Sequence, residues 1–193
     1  MRLGIFGGTF NPPHLGHLIV AESVREQLQL DKVLFVPSAT PPHKHYPSLA
    51  PAQMRLQMTS VAVQENRGFE ASAIEVERGG TSYSVDTLDQ LRKEHPKASL
   101  FLLIGSDNLL EFESWKSPLE ILEKADLVVM TRPGFRMEES KNEFARRAVF
   151  VNVPAIGISG TDIRRRVKLG RSIRYLVPPA IEEIILRRHL YRD

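Results

Sequence analysis

The loop Gly7-Gly8-Thr9-Phe10-Asn11-Pro12-Pro13-His14-Leu15-Gly16-His17 follows a short apolar run and opens a helical pattern. Its two leading glycines let backbone N–H groups approach a phosphate closely. His14 and His17 are three apart at a helix start and so share one face. Gly16 between them takes away a side chain where a ligand could sit. A helix N-terminus already favours anions, and imidazole N–H groups there would add directed hydrogen bonds. The pattern is neither the GxxxxGK[ST] phosphate loop nor the GxGxxG dinucleotide fingerprint. Zinc is disfavoured because no H-E-x-x-H pattern and no cysteine is present. The plain alternative is a pair of exposed helix-start histidines.

A second loop, Ile158-Ser159-Gly160-Thr161-Asp162-Ile163-Arg164, opens another helix. Ser159 and Thr161 offer hydroxyls, and Arg164 a guanidinium, to phosphate oxygens. Alone, it reads equally well as an N-cap followed by a solvated basic face. Together, two helix N-termini, two histidines and an arginine would form a polyphosphate site, provided that the fold brings them to one sheet edge.

The elements that must do this follow from periodicity. Strands are expected at Arg2 to Gly7, Lys32 to Pro37, Glu70 to Glu77, Ser99 to Ile104, Ala125 to Met130 and Val149 to Val153. Helices are expected at Leu18 to Leu28, Met54 to Val63, Ser84 to Glu94, Glu138 to Arg147, Asp162 to Lys168 and Pro179 to His189. Several strands are apolar on both faces, as in a parallel sheet covered by helices on both sides. The expected fold is therefore a doubly wound, Rossmann-like α/β domain spanning 1–193, with a small helical part at 158–193. In such sheets ligands bind at the carboxyl ends of the strands.

Composition agrees. The 193 residues are 42% hydrophobic and 25% charged, with no cysteine, which excludes a disulfide scaffold and thiolate chemistry. No apolar run reaches membrane-spanning length and no signal peptide is read, so the cytoplasm is expected. The net charge of +3 is local. From Gly160 to Asp193 there are nine basic and four acidic residues, so that segment carries +5 and the remainder −2. Such a cluster suits a phosphate-bearing small ligand; a nucleic-acid module is the weaker reading, because aromatic and basic residues are not interleaved.

His14-Leu15-Gly16-His17 is similar to the HxGH signature of a nucleotidyltransferase superfamily, and Ile158 to Arg164 resembles its ISSTxIR motif. Within it the chain resembles the bacterial nicotinate-nucleotide adenylyltransferases. Pro41 to Lys44 (PPHK), Thr81 to Leu88 (TSYSVDTL), Ile104 to Asn108 (IGSDN) and Trp115 occur in that family's order, so the likeness spans essentially the whole chain. Gly160 departs from it, standing where the family often has Ser.

The resemblance implies adenylyl transfer from ATP to nicotinate mononucleotide, giving deamido-NAD and pyrophosphate, with Mg²⁺ carried mainly by the ATP phosphates. His14, His17 and Arg164 are then the catalytic residues. ATP would be held by Gly7, Gly8, Thr9, Phe10, Gly16, Gly105, Asp107, Ser159 and Thr161. The mononucleotide would be held by Lys44, Thr81, Tyr83, Trp115 and Arg132, with no metal ligand among the protein residues. The partners are these small molecules rather than nucleic acid or membrane, and a homo-oligomer is compatible with the sequence. The rival within the superfamily uses nicotinamide mononucleotide or another phosphate acceptor.

Overall fold

The computed structural model describes residues 1–42, 48–131 and 143–192. Six strands form one sheet: β1 (Arg2–Gly8), β2 (Lys32–Pro37), β3 (Phe69–Ala71), β4 (Ser99–Gly105), β5 (Asp126–Thr131) and β6 (Val149–Asn152). All pair in parallel, in the order β3-β2-β1-β4-β5-β6. The chain builds outward from β1 to β3, then returns to the other side of β1 with β4. The gap between the carboxyl ends of β1 and β4 is thus the switch point where doubly wound sheets take ligands.

Both faces are covered, which is why the strands read as continuous apolar runs. On one face Leu3, Ile5, Leu34, Leu102 and Val129 pack with Val85, Leu88 and Leu91 of α4 (Ser84–Glu94) and Ile121 of α6 (Pro118–Lys124). On the other, Phe6, Val33, Phe35, Leu103 and Val128 pack with Ala21 and Val24 of α1 (Leu15–Gln27) and Val63 of α2 (Ala52–Val63). A third cluster does not rest on the sheet. Met58 of α2 joins Ile163 of α7 (Gly160–Lys168), Ile181 and Ile185 of α8 (Pro179–Arg187), and Ile173, Val177 and Tyr191. This cluster holds the second loop motif in place.

Two expectations change. The segment expected as a strand from Glu70 to Glu77 is a three-residue strand followed by a helical turn, α3 (Ile74–Arg78). The Ser72 hydroxyl accepts from the Ile74 amide, and Gly79, at φ +70, ends the turn. The alternation Ile-Glu-Val-Glu imitates a strand, yet Glu75 is buried, where Thr87 donates to its carboxylate at 2.6 Å. Of the helix expected at Glu138 to Arg147, Glu143–Arg147 is a 3₁₀ helix and the rest lies outside the described residues. Two short helices after β4 complete the fold, α5 (Ser106–Leu110) and α6. The latter starts at a Ser117-Pro118 pair, with proline at the first helical position where its missing N–H costs nothing.

Candidate active site

The first motif leaves β1 at Gly7-Gly8 and turns tightly over a packed aromatic floor. Phe10 adopts φ +46 and is buried, meeting Phe6, Phe35 and His17 at ring-centroid distances of 5.7, 5.7 and 5.0 Å. A Cβ on Gly8 would lie 3.1 Å from the Phe10 ring, so only glycine passes there without displacing it. Phe10 lies beneath the loop and supports His17. The flank of Gly16 is likewise occupied: a Cβ there would meet His14 Nδ1 at 3.0 Å and Ile156 at 3.2 Å.

The two histidines stack, centroid to centroid, at 3.6 Å. His17 Nδ1 accepts the His14 backbone N–H at 3.2 Å. In the neutral ring the proton then sits on Nε2, which becomes the outward donor. Burial pushes His14 down to about 4, and burial together with the neighbouring His14 pushes His17 well below its ordinary value. Without ligand both are neutral at pH 7. His14 Nδ1 is buried with no hydrogen-bond partner among the described residues.

The second motif meets the first. Arg164 Nη1 donates to the Asn11 backbone carbonyl at 2.8 Å, and Nη2 donates to Thr161 Oγ1 at 3.2 Å. Ser159 caps α7, its Oγ accepting from the Asp162 amide at 3.2 Å, while its own O–H can still donate. A Cβ at Gly160 would sit 3.1 Å from the Asn11 carbonyl oxygen and 3.3 Å from Arg164 Nη1. A side chain at Gly160 would need the first loop or the Arg164 guanidinium to give by a few tenths of an ångström. The two junctions, about 150 residues apart in sequence, are in direct contact.

Beside them, at the β1–β4 switch point, lies a cavity of about 230 Å³. Gly7, Gly8, Thr9 and Gly105 form its strand-end wall, and Tyr83, Ser84 and Trp115 contribute from the α4 and α5 side. Trp115 stacks obliquely on Phe112 at 5.2 Å, and Lys116 lies 4.7 Å over the Tyr83 ring. Helix α4 starts at Ser84 in this wall, its N-cap Tyr83 offering no side-chain cap. With no side-chain cap among the described residues, its first amides can meet an anion.

A cytidylyltransferase-like family model matches residues 5–166. A protein of Salinibacter ruber named probable nicotinate-nucleotide adenylyltransferase is 46% identical over 192 residues, covering 100% of this chain and 98% of its own. One of the same name from Thermus thermophilus is also 46% identical, with both chains fully covered. The chain belongs to the nicotinate-nucleotide adenylyltransferase family. Among solved structures, Plasmodium falciparum nicotinic acid mononucleotide adenylyltransferase complexed with NaAD superposes with a TM-score of 0.80 at 16% identity, covering 98% of this chain and 97% of that one. That likeness shows that the Rossmann-like architecture is shared.

The structure thus brings Gly7, Gly8, Thr9, His14, His17, Thr161 and Arg164 to one edge, and Gly105, Tyr83 and Trp115 to the adjoining cavity. Thr81 is exposed and bridges to Thr40; its neighbours Ser82, Tyr83 and Ser84 face the cavity instead. Asp107 is exposed within the first turn of α5, whose N-cap is Gly105, and the cavity is lined by Asn108. Lys44 and Arg132 lie outside the described residues.

Several residues of this family member were not singled out by sequence. Arg55 is fully buried and donates to the carbonyls of Ala50, Thr9 and Ala39, each at 2.9 Å. It is the only charge in the twelve residues of α2, which is the signal that could have found it. Ser38, just past the end of β2, lines the cavity with a buried hydroxyl that has no partner among the described residues. Glu75 also lines it, its carboxyl pushed up by burial.

Proposed function

We propose that this protein transfers the adenylyl group of MgATP to the phosphate of nicotinate mononucleotide, releasing pyrophosphate and forming deamido-NAD. The observation that carries this reading is the contact of Arg164 with the Asn11 carbonyl, which joins both phosphate-directed loops at the switch point of the sheet.

The chemistry needs little more than placement. The attacking group is a phosphate monoester with a second pKa of about 6, already largely an anion at neutral pH. No strong general base is required. An oxygen of that phosphate attacks the α-phosphorus in line, and the bond to pyrophosphate breaks. The protein's work is to align two anions and to stabilise charge on the transferring and leaving groups. His17 Nε2–H and His14 donate to the ATP phosphates beside the Gly7–Thr9 backbone. Arg164, Thr161 and the Ser159 hydroxyl hold the β and γ phosphates. Asp107 and Gly105 are assigned to the ribose as proposals. Among the described residues no group of three or more His, Asp or Glu gathers as metal ligands. The donors present fit a Mg²⁺ ion that arrives on the triphosphate.

The acid form of the pyridine is favoured by the uncapped start of α4. Free amides in a cavity wall attract a carboxylate and gain less from a neutral amide. Trp115 supplies an aromatic face for the ring, and Lys44 and Arg132 are assigned to the mononucleotide as proposals. No helix among the described residues is long and apolar enough to cross a membrane, which fits the proposed place in the cytoplasm.

The test is pyrophosphate release from ATP across a panel of acceptors. Nicotinate mononucleotide should exceed nicotinamide mononucleotide, phosphopantetheine and glycerol phosphate in kcat/KM. A clear preference for the amide, or for CTP over ATP, would overturn the assignment.

A further inference from the structure

We infer that Tyr191, in the turn that follows α8, is a positioning residue for the ATP side of the site, acting through Asn11 on Arg164. The inference rests on the adenylyl-transfer reading above and extends it to a residue that belongs to neither phosphate loop in sequence.

The path is made of short, directed contacts. The Tyr191 hydroxyl donates to Asn11 Oδ1 at 2.8 Å, in a buried setting. The second acceptor position of Oδ1 takes the Ala50 amide at 3.1 Å, and Asn11 Nδ2 donates to the Ser48 carbonyl at 3.0 Å. Oδ1 is therefore saturated and the orientation of the amide is fixed. Because the side chain is held at both ends, the Asn11 backbone carbonyl has a set position. That carbonyl receives the Arg164 guanidinium at 2.8 Å, and α7 is packed against it at Gly160.

The backbone around Tyr191 supports the same role independently. His189 and Tyr191 adopt φ +51 and +63, a left-handed region that ordinary side chains avoid. The segment places the Tyr191 ring in the cluster of Ile163, Ile181 and Ile185. A tyrosine needed only for its bulk would gain nothing from the hydroxyl. Here burial keeps the phenol protonated far above neutral pH, so it remains a donor under all working conditions.

Tyr191→Phe keeps the ring and its packing and removes only the donor. One lost hydrogen bond to a buried partner corresponds to a factor of roughly three to ten. The expected result is a KM for ATP raised by about that factor, the KM for nicotinate mononucleotide changed less, and the unfolding midpoint lowered by only about 1–6 °C. The decisive measurement is a double-mutant cycle with Arg164→Ala. If Tyr191 acts through Arg164, adding Tyr191→Phe to Arg164→Ala produces no further rise in the KM for ATP. Multiplicative losses in the cycle, or an unchanged KM for ATP in Tyr191→Phe, overturn the inference. Should Tyr191→Phe fail to fold, the same cycle is run with Asn11→Ala, which releases the carbonyl's anchor from the other end. The underlying functional reading fails separately, if the unaltered protein releases no pyrophosphate with nicotinate mononucleotide.

Discussion

Replacing Arg55 by Met isolates the energetics of the frame around the site. The side chain has no exposed surface, and three N–H groups reach the carbonyls of Ala50, Thr9 and Ala39 at 2.9 Å each. Methionine fills most of the stem volume and supplies no donor. A hydrogen bond from a charged group contributes about 1.5–3 kcal/mol, so three set an upper bound of roughly 5–9 kcal/mol. Against that stands the desolvation of a guanidinium with no ion-pair partner among the described residues, which also lowers its own pKa. The net loss expected for removing one side of such a buried network is about 3–5 kcal/mol. For a domain of this size that lowers the unfolding midpoint by roughly 6–20 °C. Urea unfolding followed by far-ultraviolet circular dichroism measures the loss directly. Arg55→Lys should recover only part, because one ammonium cannot reach three diverging carbonyls. A loss below about 1 kcal/mol for Arg55→Met would refute the argument, since the carbonyls would then have been satisfied without it.

His17→Ala should lower turnover by about 10²–10³-fold with the fold unchanged, because it removes a donor to developing charge; near-normal turnover at saturating substrates would exclude that role. Stability of the ligand-free protein should fall with acid. Burial holds His14 near 4 in the folded state against 6.5 in the open chain, so between those values the unfolded chain binds more protons. Its stabilisation is complete above pH 6.5 and is lost as pH falls, by about 3 kcal/mol at pH 4 from His14 alone. His14→Gln should flatten that slope in urea titrations, and a slope unaffected by the substitution would discard the mechanism.

The strands and the two loop motifs were legible because the determining signals are local. Lys32 to Pro37 and Ser84 to Glu94 match the observed elements residue for residue, since a buried strand and an amphipathic helix write their periods directly into the chain. α3 was not legible: Glu75 looks like an outward strand position until Thr87, twelve residues on, is seen to bond it. The roles of Asn11 and Arg55 were hidden for a similar reason. Apart from the Tyr191 hydroxyl on Asn11, their partners are backbone carbonyls and amides, and a backbone group leaves no trace in residue identity. At Gly160 a Cβ would lie 3.1 Å from the Asn11 carbonyl oxygen, a crowding that the motif itself does not announce. The sequence offers Ser159 as both ligand and cap, and the structure shows it capping α7.

Helix α2 has almost no amphipathic signature, and the reason constrains how this protein can change. It faces β2 and β3 with one side and α8 with another, while Arg55 projects from it to the loops at the site. Only Gln53, Gln57 and Ser60 of its twelve residues are exposed, a stripe one residue wide. The four buried positions, Arg55, Met58, Thr59 and Val63, therefore leave little room for neutral drift, and the five half-buried ones leave some. Mutational scanning should find those four the least tolerant positions of α2, even though none of its residues lines the cavity at the switch point.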